Sequence, residues 1–219
     1  MPDGVAAKAD ESGEVAAETV HFTASQAMRT ASFWLISIGH AAALLIVSSV
    51  LVHLIPHLTE GQGFSLLAAS QVVLGLTVFQ MVGQTVGGLV GDRFDKRLVC
   101  VACMVAHTLG MLLVTFVPNL WGLLAFCVLH GLAWGIRGPM MVAIRADYFG
   151  TRAFGTIMGW SSLIVMFGMS GGPLIAGFAA DHYGDYEIGF SLLAGIALLG
   201  SFAFLAATPP PQPDQSGNT

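Results

Sequence analysis

Gly87-Gly-Leu-Val-Gly-Asp-Arg-Phe-Asp-Lys-Arg97 places five charges in the six residues Asp92 to Arg97 of a 219-residue chain that is only 10% charged. The chain is 55% hydrophobic with a mean hydropathy of +0.76, far above what water-soluble domains carry. The stretch is therefore a short polar break between two apolar runs. Outward from it, charge-free runs cover Thr30 to Thr59, Gly61 to Gly91, Leu98 to Ile136, Ala153 to Ala180 and Ile188 to Pro213. Each exceeds the roughly 20 residues that cross a bilayer as a helix. As one helix, Leu98 to Ile136 would be about 58 Å long, near twice the hydrocarbon thickness. It must fold back, and Val117-Pro-Asn-Leu120 supplies a turn, because Pro118 lacks an N–H and Asn119 tolerates turn dihedrals.

The pattern predicts an all-α integral membrane fold of six helices, near Ala31 to Ile55, Ser65 to Val90, Arg97 to Phe116, Leu120 to Ala146, Ala153 to Ala180 and Ile188 to Ala207. The bundle spans 31–207. Residues 1–30, acidic and Ala-rich, read as a disordered lead-in, and 208–219, Pro-rich and polar, as an extended tail. A cleavable signal peptide is not expected, since the first apolar run starts about thirty residues in, behind Asp10, Glu11, Glu14 and Glu18. Lys8, Arg29, Arg93, Lys96, Arg97, Arg145 and Arg152 fall on one side of the bundle, and the opposite loops hold no Lys or Arg. By the positive-inside rule both termini are cytoplasmic in a multi-pass protein of the cell membrane. Only Arg137 lies well inside a predicted span, Arg145 standing at the boundary of the fourth.

Gly88-Leu-Val-Gly-Asp92-Arg-Phe-Asp closes the second helix, and Gly177-Phe-Ala-Ala-Asp181-His-Tyr-Gly184 closes the fifth, 89 residues later. Three helices separate the copies, so they end on opposite membrane faces, as an inverted three-plus-three repeat requires.

Gly88, Asp92, Arg93, Lys96 and Arg97 together resemble the G-x-L-x-D-R-x-x-R/K signature of the major facilitator superfamily, found between the second and third helices of each six-helix half. In that setting a Gly lets helices approach closely and the Asp can sit against a helix N-terminus. His53-Leu-Ile-Pro-His57, Ala146-Asp-Tyr-Phe-Gly150, Phe154-Gly-Thr-Ile-Met-Gly159 and Gly172-Pro-Leu-Ile-Ala-Gly177 are similar to the monocarboxylate and oxalate/formate branch of that family. The resemblance runs from Phe33 to Pro209. It implies the C-terminal half of a twelve-helix transporter, with the leading tail similar to the central cytoplasmic linker. The expected partners are the lipid bilayer, a small-molecule solute and either a separate N-terminal six-helix half or a second chain; no nucleic acid is expected.

The candidate residues for substrate binding or gating are Arg137, His130, Gln80, Gln84 and His40. An intramembrane Arg normally faces a bundle interior or a wet cavity, and no carboxylate falls inside a predicted span, so an anionic solute is one reading. The others are a gate, bonding to carbonyls freed near Pro139, and snorkelling to the cytoplasmic side. His130 lies seven residues before Arg137, on the same helical face. His40, His107 and His130 could relay protons or simply be neutral and hydrogen-bonded. Gln80 and Gln84 stand where the monocarboxylate carriers of the resembling family place an Asp and, one turn on, an Arg. Two amides bond a polar solute without neutralising a carboxylate.

Gly131/Gly135, Gly155/Gly159 and Gly168/Gly172 are pairs four apart that permit close helix packing, and Gly172-Pro173 could bend the fifth helix. Cys100, Cys103 and His107 share a face, as do His53, His57 and Glu60, but neither set completes a tetrahedral site, so no metal is expected. No phosphate loop or HExxH occurs. The expected function is secondary active transport of a small organic solute, an organic anion on the Arg137 reading, by alternating access. No enzyme activity or cofactor is expected, and a proton is the favoured coupling ion. The alternative is a six-helix fragment or subunit that does not transport alone.

Overall fold

The computed structural model describes residues 21–212. The expectations for 1–20 and 213–219 lie outside the described residues. The chain folds into α1 (Ala24–Met28), α2 (Ala31–Pro56), α3 (Leu66–Arg93), α4 (Lys96–Phe116), α5 (Leu120–Phe149), α6 (Phe154–Tyr183) and α7 (Glu187–Ala206). Six of these helices, α2 to α7, are long and apolar enough to cross a membrane. Side-chain caps start several of them. Thr30 accepts from Phe33 N, Ser65 from Ala68 N and Asn119 from Gly122 N, each satisfying one orphan helix donor.

The helices run further than periodicity placed them. α3 continues through Asp92 and Arg93, so the charged break shrinks to Phe94 and Asp95. Asp92 therefore sits in the last turn of α3, and it is Asp95 whose carboxylate accepts from Arg97 N and Leu98 N at the start of α4. Asp92 caps no helix among the described residues, and the two-residue connection gives the start of α4 to Asp95. α2 likewise does not stop before Pro56 but ends in a π-helical turn, His57–Gly61, closed by Gln62 N donating to His57 O. Part of the expected lead-in is also ordered. Thr23 and Gln26 form a capping box on α1, Phe22 N donates to Phe149 O, and the Phe22 ring meets Phe149 edge-on at 5.6 Å.

Packing follows an exchange symmetry. α3 packs on α5 as α6 packs on α2, α4 packs on α5 as α7 packs on α2, and α4 and α7 pack on each other. Swapping α2 with α5, α3 with α6 and α4 with α7 leaves these partnerships unchanged, as an inverted repeat demands. The 89-residue offset carries Gly83 onto Gly172. A Cβ on Gly83 would stand 2.6 Å from Leu132 O, and one on Gly172 would overlap Leu45 O. Only glycine permits the backbones to close at these two equivalent points.

The other glycine expectations divide. Gly131 and Gly135 press on the backbone of α3 at Leu76 and Gln80, and Gly168 presses on Ala41 of α2. Gly155, Gly159 and Gly88 meet nothing within 4 Å, so the expected packing of Gly155/Gly159 and the close approach assigned to Gly88 do not occur among the described residues. Gly87 makes the approach instead, against Ile136 O. Burial reaches only 17% along the span of α3 and 22% along that of α6, against 44% to 56% for the other four, so these two helices border the open side of the bundle.

Candidate functional site

The polar side chains of the spans fall into two places, one inside the bundle and one on its open side. Inside, Arg137 on α5 is 1% exposed, and its Nε and Nη1 have no hydrogen-bond partner among the described residues. Carbonyls freed near Pro139 do not bond these two nitrogens. His130, two turns earlier on the same helix, meets His107 of α4 through Nδ1 to Nδ1 at 3.1 Å. That bond requires one protonated and one bare Nδ1, so one ring carries its hydrogen on Nδ1 and the other on Nε2. Both Nε2 atoms are buried without a partner among the described residues. Long helical side chains lean toward the helix N-terminus, which directs the Arg137 guanidinium back along α5 toward His130.

A second buried cation was missed. Arg145, read from the sequence as a boundary residue at the cytoplasmic end of the fourth helix, is 1% exposed inside α5. Its Nη1 donates to Met141 O at 2.7 Å, and its Nη2 donates to Ser161 Oγ of α6 at 2.6 Å and to His40 Nδ1 of α2 at 3.4 Å. Arg137 is thus not the only charged side chain within a span. The signal that could have found Arg145 is Tyr148-Phe149: two aromatic residues continuing the helical stripe carry α5 another turn and draw Arg145 inward.

On the open side, Gln80 of α3 is half-buried and Gln84 exposed, and Gln80 Nε2 donates to Gln84 Oε1 at 3.3 Å. The pair makes no hydrogen bond to Arg137 among the described residues, and the backbone of Gln80 and Gln84 lies against Gly135. Of the signature residues, Lys96 pairs with Asp147 at the end of α5 at 2.7 Å, and Arg97 with Asp95 at 3.6 Å. These ties hold the α3–α4 connection to the end of α5. At the opposite end, His53 Nε2 donates to Pro173 O at 2.9 Å, and Tyr186 OH donates to His53 Nδ1 at 3.3 Å, which ties α2 to α6 just past Gly172. His53 is thereby engaged with α6 rather than with His57 and Glu60.

The family model described as Major Facilitator Superfamily matches residues 31–219. The chain belongs to this superfamily. It is therefore a multi-pass membrane protein of a transporter family, and the resemblance seen in Gly88 to Arg97 holds across the bundle. The superfamily chain is 33% identical over 97 residues to the Multidrug resistance protein B homolog of Mycobacterium tuberculosis, covering 44% of this chain and 18% of that protein. It is 30% identical over 120 residues to the Multi-drug resistance efflux pump PmrA of Streptococcus pneumoniae, covering 55% and 28%. It is also 30% identical over 162 residues to Monocarboxylate transporter 10 of Danio rerio, covering 72% and 32%. The aligned part is under a third of the length of each of these relatives.

Proposed function

We propose that this chain is the C-terminal six-helix half of a secondary transporter in the cell membrane, moving a small organic anion by alternating access with a proton as coupling ion and both termini in the cytoplasm. The observation that carries the proposal is a polar stripe on α3. Ser70, Thr77 and Gln84 are exposed and Gln80 half-buried, within one face of a helix that its own bundle leaves largely uncovered. The hydroxyls return to Leu66 O and Val73 O, but the two amides bond only each other. Hydrocarbon cannot satisfy the remaining amide donors and acceptors. This face therefore meets water or another protein, which is what one wall of a solute path between two halves must do.

The anion reading draws on Arg137 and Arg145. No carboxylate pairs with either among the described residues. Two uncompensated cations in a low-dielectric interior give the neighbouring face a positive potential. The space beside Gly138 is open, so a solute can approach α5 next to Arg137 without contacting it. The similarity to a monocarboxylate transporter supports L-lactate as the first probe. The test is L-lactate uptake into liposomes driven by a proton gradient, with this chain alone and with a six-helix N-terminal half supplied as a second chain. Uptake only with both halves is expected. Uptake by this chain alone would remove the need for a second half, and none of any organic anion with both would sink the transport reading.

A further inference from the structure

The hydrogen bonds around Arg145 have only one consistent direction. A guanidinium donates and never accepts, so Ser161 Oγ and His40 Nδ1 are both acceptors from Nη2. Ser37 Oγ lies 2.8 Å from Ser161 Oγ and donates its own hydrogen to Phe33 O at 2.7 Å. The hydrogen between the two serines therefore comes from Ser161. The chain runs from Arg145 to Ser161, to Ser37, to the carbonyl of Phe33, with a branch from Arg145 to His40. Three helices, α5, α6 and α2, contribute to it, and Arg145, Ser161 and Ser37 are buried.

The branch decides the chemistry of His40. With its Nδ1 lone pair facing a permanent donor, the neutral ring carries its hydrogen on Nε2. That nitrogen makes no hydrogen bond among the described residues and belongs to a half-buried side chain rather than to the orphaned buried atoms of the core.

We propose that Arg145 is a positioning residue that locks His40 as an Nε2–H donor, making His40 a contact point for a hydrogen-bond acceptor, the carboxylate or carbonyl oxygen of the solute. The solute part rests on the transport reading above; the lock does not.

Two measurements separate the parts. For the lock, the full chain carrying ¹⁵N-labelled Arg and His is placed in phosphatidylcholine bilayers near neutral pH and studied by solid-state NMR. The expected result is a nitrogen-to-nitrogen contact between a guanidinium Nη and the unprotonated Nδ1 of one histidine, absent in His40→Gln. A His40 ring protonated on Nδ1, or no such contact, overturns the lock. Ser161→Ala should keep the contact, since it removes the other acceptor and leaves the branch; loss of the contact there would also overturn it. For the contact point, L-lactate uptake by the two assembled halves is compared for His40→Leu and His40→Gln. His40→Leu should raise KM roughly tenfold, the worth of one hydrogen bond to a charged acceptor, with kcat little changed. His40→Gln, whose amide nitrogen can take the place of Nε2, should restore most of it. An unchanged KM in His40→Leu removes the contact point. Absence of uptake in the unmodified protein fails the transport reading, and the NMR contact tests the lock independently of it.

Discussion

Gly172 of α6 lies so close to the carbonyl of Leu45 in α2 that no side chain fits between them, and Gly83 of α3 meets Leu132 of α5 in the same way. In each case the contact joins one three-helix unit to the other. Overpacking a tight contact typically costs about 1 to 3 kcal/mol or more. Gly172→Ala and Gly83→Ala are each expected to lower stability by at least that amount, measured as the unfolding midpoint in mixed micelles. Gly159→Ala is the contrast. A Cβ there meets nothing within 4 Å among the described residues, and the change should raise helix stability by about 0.5 to 1 kcal/mol. Equal effects at Gly172 and Gly159 would contradict the packing.

Topology is tested by labelling. Cys100, Cys103 and Cys127 are buried and free, so a background lacking them is needed first. A cysteine at Gly61, in the turn after α2, should react with an impermeant thiol reagent from outside the cell. One at Phe94, which is exposed between α3 and α4, should react only after permeabilisation. Seven of the eight Lys and Arg on one side of the bundle are the basis. Labelling of both from the same side would remove the six-span arrangement.

Asp95 and Asp92 should behave differently although they are three residues apart. Burial nudges the Asp95 carboxyl upward, but hydrogen bonds from Arg97 N and Leu98 N and the Arg97 charge outweigh it and hold the group below its usual 3.8. A depressed carboxylate stabilises the folded state above its unfolded pKa and loses that contribution as pH falls through the folded value. Asp95→Ala should cost about 1 kcal/mol at neutral pH, the worth of an N-cap, and the gap to the unmodified chain should close below about pH 4. Asp92 makes no hydrogen bond or ion pair among the described residues. Asp92→Ala should change the stability of this chain by less than about 0.5 kcal/mol. Unfolding measured across pH for both variants checks the assignment.

Arg137 offers a test with opposite signs for stability and function. A buried cation with unpartnered nitrogens is costly, and replacing buried charges by apolar groups of similar volume is often neutral or stabilising by about 1 to 4 kcal/mol. Arg137→Met is expected to leave the unfolding midpoint unchanged or raised. In the assembled transporter it should reduce uptake of L-lactate more than uptake of an uncharged analogue. A loss of about 3 to 5 kcal/mol in stability would instead reveal a charged partner.

How much of this could be read from residues alone depends on the range of the interaction. The six spans, the fold-back at Pro118 and the repeat linking Asp92 to Asp181 follow from hydropathy, chain length and local turn chemistry, because a bilayer imposes those terms on each segment independently of its neighbours. Helix ends did not follow. Whether α3 stops at Val90 or runs through Arg93, or α5 carries Arg145 inward, depends on what the next helix offers: Asp147 for Lys96, Ser161 and His40 for Arg145. The glycine pairs show the same division. Spacing alone treats Gly155/Gly159 and Gly168/Gly172 alike, and only the second pair has a backbone beside it. Polarity works in the same way. Sequence puts Arg137, His130, Gln80 and Gln84 on helices, but only the packing of α3 against α5 sends the glutamines to the open side and the arginine into the core. The reason is physical. Transfer into the membrane is a property of a segment, whereas the partner that satisfies a buried donor lies on another helix, 16 residues away for Ser161 and 105 for His40 along the chain from Arg145.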